Sequence, residues 1–314
     1  LHIIGAVLLY LATTVTDNTI FYWLILSYSL LYMPTIALSN SIAFQQMSDP
    51  GKQFPWIRLF GTVGWIIAGL MIAALNVEKN DQLPYTFYMA AGASLFLGVF
   101  SFFLPHTPPK GKTGSTASSI GSEAIVLFKD KPYLVFFIAA ILVCIPLSFY
   151  YGFANVFLNT IGMDNAAGTM TLGQFSEAIF ILAIPFLFNN IGVKNMILIG
   201  MVACILRYVC FAYGNVDENL WMLYAGIILH VICYDFFFVT GYMYTEKKAG
   251  AQIKNAAQGL FTFATYGLGM FIGTWVSGFV ADYYTTGTDR NWMSIWFVPA
   301  GIAVFVLVYF LLFF

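Results

Sequence analysis

The stretch "PYLVFFIAAILVCIPLSFYYGFANVFLNT", residues 132–160, carries no charged side chain. About 20 apolar residues are enough for a helix to cross a bilayer. Outward from it the same pattern recurs. Apolar segments run over 1–16, 20–47, 54–76, 83–105, 132–160, 167–190, 194–214, 218–244, 254–280 and 291–314. Only 9% of the residues are charged and 60% are hydrophobic, with a mean hydropathy of +0.82. A water-soluble domain is about 25% charged, so this chain has too few charges to cover a wet surface. Backbone groups in lipid must pair within their own segment, and the alternating ten-residue strands of a barrel are absent from the sequence. The fold class expected is an all-α polytopic membrane protein.

Loop charges give an orientation. Loops 46–53, 106–131, 190–195 and 245–254 hold nine of the 13 Lys and Arg residues, whereas the intervening loops hold Lys79 and Arg290. Positive charge marks the cytoplasmic side, which places both given ends and the central loop there. That loop, 106–131, is rich in Pro, Gly and Ser and divides the segments four and six. The organisation expected is a partial N-terminal bundle (1–105), a linker (106–131) and a C-terminal six-helix bundle (132–314). The lysine-bearing turns "QQMSDPGKQ" and "TEKKAGAQIKN" each lead into a Gly-rich helix, a faint internal echo of a two-repeat transporter. If the halves were once equal, two helices precede Leu1.

Several functions are excluded or weakened. A net charge of −1 argues against nucleic acid. Cys144, Cys204, Cys210 and Cys233 lie in apolar runs without metal or disulfide spacing and read as packing residues. "GKTGST" (111–116) lacks the first glycine of a phosphate loop, since His106 stands there, so a flexible linker is the better reading. Three scattered histidines give no metal or catalytic cluster. No metal, no cofactor and no enzymatic activity are expected.

Four charges interrupt the helices: Arg58, Glu177, Arg207 and Asp235. Each is costly in lipid, so each is a candidate for function or for a structural ion pair. Thr171, Gln174 and Glu177 recur at three-residue intervals and share one helix face. Such a stripe suits the wall of a cavity, and Glu177 becomes a candidate proton carrier. Arg58, Thr62 and Trp65 also share a face, offering donors, a hydroxyl and an indole; snorkelling of Arg58 to the cytoplasm is the competing reading. Gly61, Gly64 and Ala68 favour close packing there. His230 and Tyr234 are four apart and share a face, while Asp235 points about 100° away from Tyr234. Asp235 could pair with Arg207 or relay protons. Ser148, Tyr151 and Asn155 form another polar stripe just beyond Pro146, where a kink is expected; bonds from the hydroxyls to their own helix are the alternative.

The stretches "YMPTIALSNSIAF", "FPWIRLFGTVGW", "FSEAIFILAIPFL", "GVKNMILIGMVACILRYVCFAYG" and "YDFFFVTG" carry a resemblance along essentially the whole chain. They resemble the nucleoside:proton symporters, the bacterial nucleoside permeases of the major facilitator superfamily. The resemblance implies twelve helices in two six-helix bundles, ten of them present here. It also implies a cargo site near the midplane, with alternating access by rocking of the bundles. It implies nucleoside contact for Arg58, Thr62 and Gln174, nucleoside contact and proton coupling for Glu177, and a transport role for Asp235, such as a proton site. Trp65, Ser148, Tyr151 and His230 stand where the family carries other residues and are expected to reshape the pocket, with Tyr234 beside it. The partners expected are a nucleoside, a proton and the lipid bilayer, with the protein a monomer in the bacterial inner membrane. A sugar or another polar metabolite on the same fold, and a non-transporting receptor, are the alternative readings. Leu1 begins, and "FLLFF" ends, inside apolar runs, so both ends are expected to lie within a longer protein.

Overall fold

The computed structural model describes residues 1–48, 50–77, 82–107 and 122–314. Most of the linker, the "GKTGST" stretch and Lys79 lie outside these residues. The chain divides into two compact units, Leu1–Lys112 and Thr113–Phe314.

In the first unit, α1 (His2–Ala12) packs against α2 (Asn18–Gln46) and α4 (Pro84–Phe100), and α3 (Pro50–Ala74) follows α2. Asp17 starts α2 by accepting from the backbone N–H groups of Thr19 (2.8 Å) and Ile20 (2.9 Å), two of the donors a helix start leaves unpaired. Ser94 Oγ donates to the His2 carbonyl at 2.9 Å and ties α4 to α1.

The second unit holds α5 (Lys131–Thr160), α6 (Ala166–Ile191), α7 (Val193–Tyr213), α8 (Leu220–Tyr234), α9 (Thr240–Thr262), α10 (Met270–Tyr283) and α11 (Trp292–Phe313). A 3-10 helix, Ser122–Lys129, precedes α5, and a two-stranded hairpin, Thr285–Thr286 with Asp289–Arg290, joins α10 to α11. Two π-helical stretches interrupt the pattern. Asp235–Val239 links α8 to α9, and Phe263–Gly269 links α9 to α10. Within α9 the backbone breaks at Gly250, with φ 66° and ψ −178°, a conformation essentially confined to glycine. Two rods therefore meet there, and the eleven α-helices give ten rods among the described residues. The rods are longer than the apolar segments 218–244 and 254–280. Residues 245–249, expected as a loop, stay helical because only Gly250 has to leave the helix. Pro146 does not end α5, which runs through it.

Seven of the described helices are long and apolar enough to cross a membrane. α10 shows what faces what. Phe271, Trp275 and Phe279, four apart, are among the most exposed side chains, whereas Gly273, Ser277 and Ala281 are buried. Large apolar groups on the outside and small ones within are what a lipid-facing helix requires.

The seam between α5 and α10 depends on small residues. Cys144 and Ser148 on α5 meet Gly269 and Gly273 on the other side. A methyl group at Gly273 would sit 2.3 Å from Ser148 Oγ and 2.9 Å from the Cys144 carbonyl. Gly273→Ala should therefore lower the melting temperature of the detergent-solubilised protein, by the roughly 1–3 kcal/mol typical of overpacking. Adding Ser148→Ala should recover part of the loss; no loss with Gly273→Ala would mean that the seam is loose.

At the other end of α5, Asp130 accepts from the Tyr133 N–H at 3.0 Å and from Lys248 Nζ at 2.5 Å, joining α5 to the last turn before Gly250. These two bonds, the lysine first, hold the Asp130 carboxyl below its ordinary range. A depressed acid stabilises the fold above its unfolded value, and that contribution fades as the pH falls through the folded value. Asp130→Ala should cost about 1 kcal/mol, mostly from the lost cap because exposed ion pairs add little. Thermal melts against pH should show the gap to the parent narrowing in acid.

Candidate functional site

The second unit gathers most of the polar residues that the sequence singles out. α6 crosses α8 where Gly173 lies against the backbone of Ile227; a Cβ there would be 3.2 Å from the Ile227 carbonyl and 3.9 Å from His230 Cβ. Gln174, next to this crossing, and Glu177, one turn on, are partly buried. The Glu177 carboxylate lies close enough to Tyr151 of α5 and His230 of α8 for its charge to act on both. Thr171 leaves the expected stripe. It is buried, and its hydroxyl donates to the Gly168 carbonyl of its own helix at 2.6 Å.

Tyr151 is 49% exposed and meets the His230 ring edge-on, with centroids 6.1 Å apart. Tyr150 stacks on the same imidazole at 4.7 Å, and Tyr234 lies tilted at 5.6 Å. The Tyr234 hydroxyl hydrogen-bonds that of Tyr266, which joins the end of α8 to the second π stretch. Four phenols and an imidazole from α5, α8 and the π stretch thus form one cluster, with Glu177 of α6 near enough for its charge to act on Tyr151 and His230.

Ser148 does not join this group. It is buried and donates to the Cys144 carbonyl at 2.9 Å and toward the Met270 carbonyl at 3.4 Å. The α5–α10 seam uses its hydroxyl, which bonds back to its own helix as in the alternative reading. Asn155 continues the α5 stripe, with its amide nitrogen 3.9 Å from Met170 Sδ.

Arg207 of α7 has no exposed surface. Its Nη1 donates to His230 Nδ1 at 2.9 Å and to Cys233 Sγ at 3.1 Å, and its guanidinium lies 3.4 Å above the centre of the Tyr150 ring. The described hydrogen bonds of the guanidinium thus run to His230 and Cys233. Asp235 is also fully buried; it opens the first π stretch, which packs against α6, α7 and α9. Tyr234, one residue earlier, is only partly buried, so the two neighbours face different surroundings, as the 100° step of a helix requires.

In the first unit, Thr62 is 6% exposed and Trp65 is 71% exposed. The side chain of Arg58 lies outside the described residues.

Sequence reasoning passed over Tyr150 and Tyr266 and read Cys233 only as a packing residue. Cys233 stands three residues after His230, a readable helical neighbour. The doublet Tyr150–Tyr151 presents rings on adjacent faces of α5. Tyr266 gave no signal, because a π stretch shifts the register on which helical spacing relies.

A carboxylate, an imidazole and phenols within the apolar helices of a membrane protein suit a secondary transporter, which needs polar groups for cargo and an acid for a proton. The comparisons identify which one. The family model described as "Nucleoside H+ symporter" matches residues 1–314. YegT of Escherichia coli (strain K12) is 43% identical, over 99% of this chain and 76% of its own length. The xanthosine permease of the same organism is 35% identical, over 98% and 77% respectively. Among solved structures, a mutant form of the nucleoside transporter NupG aligns over 100% of this chain and 81% of that one, with 33% identity and a TM-score of 0.90. The chain belongs to the nucleoside H+ symporter family and has its major facilitator fold. It is a multi-pass membrane transporter and not an enzyme.

Proposed function

We propose that this protein imports nucleosides with protons across the bacterial inner membrane, with its lysine-rich loops in the cytoplasm. Glu177 carries the transported proton. The observation that supports this most is the partly buried carboxylate of Glu177 in an apolar helix, near enough for its charge to act on Tyr151 and His230.

A nucleoside is neutral, flat at its base and rich in hydroxyls at its ribose. Gln174, Glu177, Tyr151, His230 and Tyr234 match that chemistry with hydrogen-bond partners and aromatic faces. Arg58, Thr62 and Trp65 are the first unit's contribution, a reading supported by the family resemblance. Asp235, buried at the start of a π stretch, is a second acid for the proton path; π stretches often mark functional positions. The two acids differ in access, and only Glu177 is open enough to touch cargo. The site that rejects poor analogues does so by leaving its own buried polar groups unmatched.

Proteoliposomes holding the full-length protein should accumulate labelled uridine or adenosine when a pH gradient is imposed. Glu177→Gln should abolish accumulation against the gradient while leaving exchange of nucleoside across the membrane measurable; undiminished accumulation would remove Glu177 from the coupling role. Gln174→Ala should weaken nucleoside affinity by about tenfold, the equivalent of one lost hydrogen bond of about 1.4 kcal/mol. Titration calorimetry on the purified protein measures it directly.

A further inference from the structure

We propose that Arg207 is a positioning residue: it fixes His230 as a neutral imidazole whose Nε2–H is the donor offered to an acceptor atom of the cargo. The inference rests on the transport reading only for the identity of the cargo.

The argument begins with what arginine can do. A guanidinium has five N–H donors, accepts nothing and stays charged. The 2.9 Å contact between Arg207 Nη1 and His230 Nδ1 therefore has one consistent polarity: Arg207 donates and Nδ1 accepts with its lone pair. An imidazole that accepts at Nδ1 carries its single proton at Nε2. A second proton on the ring would set N–H against N–H and a cation beside a cation, so the ring is uncharged in this arrangement.

The cation itself is held from several sides. Tyr150 lies 3.4 Å beneath the guanidinium and also stacks on the imidazole at 4.7 Å. Arg207 Nη1 also donates to Cys233 Sγ, and the Cys233 thiol donates to the His230 carbonyl at 3.1 Å. These contacts fix ring plane, ring rotation and tautomer together. With Arg207 on the Nδ1 edge and Tyr150 covering one face, the Nε2 edge remains. Half-exposed Tyr151 stands edge-on to this ring, and Glu177 is within electrostatic reach of it.

The consequence is a division of polarity in the site. His230 gives a hydrogen bond and cannot take one, whereas Glu177, when charged, takes hydrogen bonds and cannot give one. A base carbonyl, a ring nitrogen or a ribose oxygen would meet His230, and a cargo N–H or O–H would meet Glu177. A tyrosine hydroxyl could do either, so histidine at position 230 narrows the choice of cargo atom.

The first test needs no variant. Nitrogen NMR of the full-length protein, labelled at histidine and assigned with His230→Phe, should show His230 protonated at Nε2 alone. A proton on Nδ1, or on both nitrogens, would overturn the proposal whatever the cargo proves to be. The second test is kinetic. His230→Phe should raise the KM for nucleoside uptake about tenfold, the loss of one hydrogen bond, with little change in maximal rate. Arg207→Met should do the same in the parent and add nothing in the His230→Phe background; a further loss there would mean that Arg207 acts on its own. Arg207→Lys, which keeps a donor, should retain the Nε2–H signature even if Arg207→Met fails to fold. Absence of uptake in the parent, with the tautomer as proposed, would refute the nucleoside reading and leave the positioning role standing.

Discussion

A cation that water does not reach, Arg207, is the constraint around which the second unit is arranged. Moving a guanidinium out of water costs several kcal/mol unless dipoles and π faces replace the lost shell. Here the replacement comes from three helices. α5 supplies the Tyr150 face, α8 supplies His230 and Cys233, and α7 carries the arginine itself beside Tyr208, whose ring centroid is 5.5 Å from the guanidinium. The Tyr208 hydroxyl donates to the Pro146 carbonyl at 2.5 Å, next to the proline that removes one backbone donor from α5. A helix interrupted by proline is thereby tied to the helix that bears the charge.

The same unit sorts its polar side chains into two groups. Ser148, Thr171 and Thr265 donate to carbonyls of their own helices, at 2.9, 2.6 and 2.8 Å, and so let helices approach closely without burying an unmatched hydroxyl. Tyr151, Gln174, Glu177 and Tyr234 keep accessible surface. The first group builds the scaffold, and the second is the group proposed to meet the cargo. His230 belongs to both, being nearly buried, bonded to Arg207 on one edge and still adjacent to Tyr151 on another.

Much of this was legible in the sequence because the bilayer leaves so few solutions. Apolar length alone located the helices, and the cost of charge in lipid singled out Arg58, Glu177, Arg207 and Asp235. The 3.6-residue period placed Gln174 with Glu177 and His230 with Tyr234. What it could not give were contacts between helices. Nothing in the spacing says that Ser148 meets Gly273, or that Arg207 bonds His230. The first follows from how closely small residues let α5 and α10 approach, the second from the packing of α7 on α8. The π stretches were also invisible, since each replaces the period on which the reading rests. The long rods on either side of Gly250 have a related cause: composition marks the edge of the bilayer, while one backbone dihedral marks the end of the helix.

The chain's departures from the family gain a physical order from this arrangement. By the resemblance, Trp65, Ser148, Tyr151 and His230 stand where the family carries other residues, whereas the proposed coupling acids Glu177 and Asp235 do not depart from it. A coupling acid must change charge state, and few side chains can do that at a tolerable cost in lipid. A cargo contact only has to offer the right donor or acceptor at the right place, and several side chains can. A histidine is one such side chain, but it brings a second requirement, since imidazole has two tautomers and only one of them suits a given cargo atom. The buried arginine behind it resolves that ambiguity, so a change at the pocket surface is bound to a charge deeper in the bundle.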